Sequence, residues 1–218
     1  MGRDKTSLMA GGETLAAYAA RRLAAVCTQV VIADRGRRLV PGCESVADSA
    51  EGGPAAGILG AARAWPGRPL LVLACDLPCV PVALLAALAG GPQGSSTALD
   101  PVPVAREAPP FTARAESFGP DAEPYPGLAE PDAEWVVPRW SRGVEPLCAL
   151  YRAAALDALA AAAARGVVAP HRLGEAAALR IRYLEGAGLA RFGAPGEIFL
   201  NLNTPDDLDR WQALAPPG

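Results

Sequence analysis

At 218 residues, with a hydrophobic fraction of 51% inflated by alanine and only 6% aromatics, the chain is long enough to bury one substantial core. A net charge of -3 lacks the concentrated basic face of a general nucleic-acid binder, but leaves room for small anionic ligands that need only a few placed cations. No apolar run approaches the roughly 20 residues of a membrane span and no basic-then-apolar leader opens the chain, so no membrane contact is expected and the cytoplasm is the expected location.

Helical and strand patterns then alternate, which predicts an α/β fold: a mostly parallel, Rossmann-like sheet flanked by helices. Glu13 to Val26 places Leu15, Tyr18, Ala19, Leu23 and Val26 at helical spacing, just after the Gly11-Gly12 turn. Gln29 to Ala33 reads as a short buried strand. Pro54 suits the first turn of a helix running to about Trp65. Pro69 to Ala74 is the clearest central strand, because its unbroken apolar run fits a strand covered by helices on both faces. Pro81 opens another helix to about Ala89.

The rhythm then stops. From Gly90 to about Glu134 the chain is crowded with Pro, Gly, Ala and Glu and shows no sustained period, so a disordered or loosely packed insertion is expected within a single domain spanning 1–218. Order resumes at Trp135-Val136-Val137-Pro138. A strand around Pro146 to Tyr151 leads into an alanine-rich helix up to Arg165, and Arg180 to Leu184 alternates like a strand. Phe199 to Asn203 is expected to be extended. Thr204-Pro205-Asp206-Asp207 then caps a last helix, with a hydroxyl acceptor, a proline at the first helical position and two carboxylates at the positive helix end. No internal repeat is visible.

Open α/β sheets place their sites beyond the carboxyl ends of the strands. Asp76 stands there, two residues after Ala74 and before Leu77-Pro78; it suits a magnesium ion carrying phosphates, or equally a turn aspartate. Asp48 follows the short segment around Cys43 to Val46. It precedes Gly52-Gly53-Pro54-Ala55-Ala56-Gly57-Ile58, where small residues admit a ligand to a helix start or simply make a turn. Met1-Gly2-Arg3-Asp4-Lys5 reads as the back half of a phosphate-gripping loop, and Lys5 could set its ammonium on a β- or γ-phosphate. A surface lysine near a chain end is the plainer alternative. Asn201 and Asn203 alternate with apolar residues and so share one face, able to read a ring rich in donors and acceptors or to form a turn. Ala10-Gly11-Gly12 is best explained as a turn into the first helix. His171 fits a helix start or surface position, and the five cysteines, without a C-x-x-C pair, fit reduced core thiols.

Together these pieces resemble, in order, the molybdenum cofactor guanylyltransferases of the MobA type. Met1-Gly-x-Asp-Lys5 matches the end of that family's Leu-Ala-Gly-Gly-x-x-x-Arg-Met-Gly-x-Asp-Lys signature. Asp48 with Gly53-Pro54-Ala55-Ala56-Gly57-Ile58 resembles its Asp…Gly-Pro-Leu-x-Gly-Ile stretch, and Ala74-Cys75-Asp76-Leu77-Pro78 its Cys-Asp-Met-Pro. Pro146-Leu147-Cys148-Ala149-Leu150-Tyr151 is similar to Pro-Leu-x-Ala-Leu-Tyr. Phe199 to Leu208 is close to Phe-x-Asn-x-Asn-Thr-Pro-x-Asp-Leu, the most specific of the set; the others are shared with cytidylyltransferase and sugar-nucleotidyltransferase relatives.

The resemblance implies that the terminal phosphate of molybdopterin attacks the α-phosphate of magnesium-bound GTP and that pyrophosphate leaves. Catalysis would rest on charge neutralisation and in-line positioning. It implies that Lys5 holds phosphates, that Asp48 contacts the guanosine, that Asp76 ligates magnesium and that Asn201 and Asn203 line the pterin side. Molybdoenzyme maturation proteins are the implied partners. Two departures stand out. The first strand and the Leu-Ala-Gly-Gly…Arg half of the signature do not appear, which a start set too far downstream would explain and which would leave neighbouring strand edges uncovered. Ala33 also replaces an asparagine frequent in the family. A CTP-using sister enzyme and a catalytically silent cofactor-binding remnant are the alternatives.

Overall fold

The computed structural model describes residues 9–10, 12–49, 52–90 and 132–214. Lys5 lies outside the described residues, as do residues 91–131 of the insertion expected from Gly90 to about Glu134. Nine strands and helices between and around them give an α/β architecture among the described residues.

A hairpin of two-residue strands, β1 (Met9–Ala10) and β2 (Glu13–Thr14), leads into helix α1 (Leu15–Ala24). The Thr14 hydroxyl caps that helix by accepting from the Ala17 amide at 3.2 Å. Strand β3 (Val31–Ala33) pairs in parallel with β4 (Glu44–Val46), and helix α2 (Gly53–Ala64) opens with Pro54 in its first turn. Strand β5 (Leu70–Leu73) follows, then helix α3 (Val82–Ala89), which ends where Gly90 takes a left-handed φ of 105°.

Next among the described residues come β6 (Trp135–Trp140), β7 (Gly143–Val144), β8 (Cys148–Tyr151) and the alanine-rich α4 (Ala153–Ala164). A short helix α5 (Leu173–Ala176), strand β9 (Ile181–Leu184) and helices α6 (Gly186–Ala190), α7 (Pro195–Ile198) and α8 (Pro205–Leu214) complete the chain. His171 sits exposed in the 3-10 turn Pro170–Arg172 before α5.

The second sheet runs β5-β8-β6-β9, with β7 continuing along β6 beyond β8. Its pairings are mixed, because β8 runs antiparallel to both β5 and β6 while β6 and β9 are parallel. The expectation of a mostly parallel sheet is corrected to this extent; a two-residue turn at residues 141–142 and the return through β7 and β8 reverse the direction. Pro138 is tolerated inside β6 because the strand changes partner there, from β8 at Val136 to β7 at Arg139.

Side chains alternate across this sheet. Trp135, Val137, Ala149 and Tyr151 pack with Ile58, Leu59, Leu156 and Leu159 under α2 and α4. Val136, Cys148 and Leu150 point the other way, to Leu84, Leu85 and Leu88 of α3 and to Leu23 of α1. Burial pushes the Cys148 thiol far up from its ordinary value, and that of Cys79 up to about 11, so both behave as core packing groups rather than nucleophiles.

Among the described residues strand β5, read as central, hydrogen-bonds to β8, and β3 to β4. Helices do cover both faces of each: Val31 and Val72 pack toward α2, while Val30, Ile32, Leu71 and Leu73 pack toward the side of α1 and α3. The apolar run reports these covered faces, since periodicity reads faces and not edges.

Candidate active site at the strand ends

The strand ends carry the polar groups. Asp34, directly after β3, is only 3% exposed and is wrapped by donors. Its Oδ2 accepts from the Leu39 amide at 2.7 Å, its Oδ1 from the Arg37 amide at 3.1 Å, and the Ser45 hydroxyl of β4 donates to Oδ1 as well. Burial alone would raise its pKa. The hydrogen bonds from Ser45 and from the amides of Leu39, Arg37 and Gly36 outweigh burial and hold it below the ordinary carboxylate value. Asp34 thereby pins a loop in which Arg35 and Arg38 adopt left-handed φ values of 61° and 55°.

That pinned loop presents Arg35 to Asp48. Arg35 Nε donates to Asp48 Oδ2 at 3.0 Å, with the arginine side chain 79% exposed. Asp48 therefore stands on the lip beyond β4 with its charge already balanced by a cation. Two glycines of the helix that follows also serve its packing. A Cβ on Gly57 would sit 3.1 Å from the Ala33 Cβ and 3.9 Å from Asp48 Oδ1, and one on Gly60 would fall 2.1 Å from the Ala47 carbonyl oxygen. The glycines let α2 pack onto β3 and the segment after β4, and in doing so they fix where Asp48 stands.

Across the strand ends lies Asp76, in the turn after β5. Its backbone carbonyl accepts from the Leu202 amide at 2.9 Å, which brings the segment between α7 and α8 against it. Leu200 and Leu202 are buried with Leu15, Tyr18 and Trp211, while Asn201 and Asn203 are exposed. The expected alternation is present. The segment is not a strand, however: the Asn203 amide donates to the Asn201 carbonyl at 3.0 Å, a tight local turn. The expected helix cap follows. Asp207 Oδ2 accepts from the amides of Asn203 and Thr204 at 3.0 and 2.8 Å, and the Thr204 hydroxyl accepts from the Asp207 amide at 3.1 Å.

Sequence reasoning passed over Asp34, Arg35 and Glu145. Glu145 is half-buried between β7 and β8, and its Oε1 accepts from Trp140 Nε1 at 2.8 Å. Burial raises its pKa, opposed by the Trp140 bond and Arg142, and the negative charge of Asp76 raises it further. Glu145 and Asp76 thus feel each other across the strand ends. The one available signal for it was its place in the segment before Pro146. Asp34 and Arg35 gave a signal too, as an acid and a base directly after a strand.

Among the described residues no cluster of three or more His, Cys, Asp or Glu side chains forms a closed metal cage. A carboxylate at a strand end such as Asp76, with Glu145 in its field, fits the chemistry of magnesium, which keeps waters and phosphates and takes one or two protein carboxylates. Among the described residues no helix is long and apolar enough to cross a membrane. The structure therefore sets Asp76, Asn201 and Asn203 together on one side, and Asp48 with Arg35 on the other.

A family model described as the MobA-like NTP transferase domain matches residues 1–178. Among solved structures, the molybdopterin-guanine dinucleotide biosynthesis protein A of Archaeoglobus fulgidus is similar with a TM-score of 0.67 and 23% identity, covering 98% of this chain and 91% of that chain. At that identity the likeness is one of fold. A comparison with curated proteins finds no match.

Proposed function

The chain belongs to the MobA-like NTP transferase family, and from that premise we propose that it transfers GMP from GTP to molybdopterin, forming the guanine dinucleotide of the molybdenum cofactor. The name of the A. fulgidus protein supports the substrate pair. The observation that carries the reading is the Leu202 to Asp76 backbone bond, which seats a carboxylate and two outward amides at one end of the sheet.

In the proposed reaction a terminal phosphate oxygen of molybdopterin forms a bond to the α-phosphorus of GTP. The bond from that phosphorus to the α–β bridging oxygen breaks, and pyrophosphate carries the electron pair away. Magnesium, when bound, supplies charge neutralisation on the phosphates, and Asp76 is the residue that would hold it. Asp48, steadied by Arg35, takes the guanosine side. Asn201 and Asn203 take the pterin side, and Lys5, outside the described residues, is assigned to the phosphates. The product would pass in the cytoplasm to molybdoenzyme maturation proteins.

The test is pyrophosphate release with molybdopterin and either GTP or CTP. Release with GTP and little with CTP is the expected result, with a loss of roughly 100-fold or more in Asp76→Ala. Release with CTP alone would replace the nucleotide in the proposal. GTP binding without release would leave a binding protein.

A further inference from the structure

The segment leaving β7 carries a carboxylate that the proposed reaction leaves without a task. Glu145 is half-buried and held at three points. Its amide donates to the Pro138 carbonyl of β6 at 2.9 Å, and its carbonyl accepts from the Cys148 amide of β8 at 3.0 Å. Its Oε1 accepts from Trp140 Nε1 at 2.8 Å, while Oε2 takes no hydrogen bond among the described residues. Trp140 is fixed in turn: its ring lies 6.0 Å from that of Phe199, and the Arg142 guanidinium stands 5.3 Å from its centre.

Two links tie this carboxylate to the candidate site. Strands β5 and β8 pair Leu73 with Cys148, and the Ala74 amide extends that ladder to the Leu147 carbonyl at 2.8 Å. The same antiparallel count carries Glu145 toward Asp76, whose negative charge is felt there. On the other side Phe199, packed against Trp140, stands two residues before the exposed Asn201.

We propose, resting on the transferase reading for the identity of the acceptor, that Glu145 is a specificity-determining residue for it. The Glu145 carboxylate receives the adjacent amino and ring N–H groups of a 2-amino-4-oxopteridine. Charge favours such donors. A phosphate brought against Glu145 would meet two carboxylates, whereas N–H groups satisfy them with charge-assisted hydrogen bonds. A carboxylate offers about four lone-pair sites and Trp140 fills one, so room remains for two more donors. Because Trp140 fixes its rotation, the carboxylate loses little freedom on binding and suits a planar edge of set spacing.

The experiment is calorimetric titration of the full chain, with magnesium present, using two pteridines that differ at one position. Pterin carries the 2-amino group and lumazine carries oxygen there. The wild-type chain should bind pterin roughly tenfold or more tighter, because lumazine sets an acceptor oxygen against the carboxylate. Glu145→Gln should shrink that preference to about twofold or less, since an amide can meet either ring edge. Trp140→Phe keeps a ring against Phe199 but removes the N–H, and should give an intermediate preference. A merely structural role would weaken both pteridines together and leave their ratio intact. Two further quantities should hold within about threefold in Glu145→Gln. They are the affinity for manganese, read by electron paramagnetic resonance, and the preference for GTP over ITP, which lacks the 2-amino group. Four results would overturn the proposal: no pterin binding by the wild-type chain, a pterin-to-lumazine ratio that survives Glu145→Gln, a larger loss of manganese affinity, which would make Glu145 a metal ligand, and a larger loss of preference for GTP, which would put the same donor edge of guanine on it. Pyrophosphate release enters none of these readouts, so a failed acceptor contact and a failed transferase are told apart.

Discussion

Asp34 shows how one buried carboxylate can organise a rim it need not react on. Its oxygens collect Ser45 of β4 and the amides of the loop that turns Arg35 toward Asp48. Removing the carboxylate leaves those amides without their acceptor. Asp34→Ala should cost about 1–3 kcal/mol in urea unfolding at neutral pH. The pH dependence has a definite sign. The folded-state pKa lies below the unfolded value of 3.8, so the stabilisation is complete above that value and is lost as pH falls through the folded pKa. Wild-type protein and Asp34→Ala should therefore keep a constant gap in stability above about pH 4 and converge as pH falls below it. A gap that persists unchanged well below about pH 4 would show that the carboxylate's charge is irrelevant. The place of Asp34 after a strand was legible in the sequence, but its role was not, because its partners are mostly backbone amides whose direction depends on two left-handed arginines.

At the scale of elements, α2 is where two opposed effects can be weighed. Replacing a helical glycine with alanine gains roughly 0.5–1 kcal/mol from reduced backbone entropy. At Gly60 the added methyl would fall 2.1 Å from the Ala47 carbonyl oxygen, a backbone atom that cannot swing away. Overpacking of that kind costs typically 1–3 kcal/mol. The cost wins, and Gly60→Ala should lower the urea midpoint. At Gly57 the nearest atom is the Ala33 Cβ at 3.1 Å, close enough to be absorbed by a small shift, so Gly57→Ala should be near neutral in stability. Destabilisation of both to the same degree would mean that α2 does not sit on β3 and β4 as described. The start of this helix was legible from Pro54, as was that of α3 from Pro81, because proline marks a boundary by its own geometry. The β1–β2 hairpin and the short helices α6 and α7 were not, since two to five residues hold no period to read. For β5 the apolar run disclosed two covered faces, while the identity of the strand beside it, β8, carries no signal along the hydrogen-bonding direction.

Across the whole molecule, the candidate site gathers residues from both ends of the chain, and the sequence revealed each part better than their assembly. Asp76 and the Asn201-x-Asn203 pair were visible as local patterns. Their meeting depends on the Leu202 amide reaching the Asp76 carbonyl across more than a hundred residues, which no local pattern contains. Glu145 joins them for the same reason, carried there by the turn between β7 and β8. The arrangement separates two tasks, and kinetics can distinguish them. If the outward asparagines serve the acceptor, Asn201→Ala and Asn203→Ala should raise KM for molybdopterin roughly tenfold each, the effect of about 1.4 kcal/mol of lost binding. GTP affinity should hold within about twofold, because uniform loss of acceptor contacts leaves the nucleotide's own contacts in place. Asp76→Ala should do the reverse and remove turnover at any concentration of molybdopterin. Equal loss of GTP affinity in the asparagine variants would place both amides on the nucleotide instead. Circular dichroism should remain unchanged in either asparagine variant, since Leu200 and Leu202, not the amides between and beyond them, anchor this segment to Leu15, Tyr18 and Trp211.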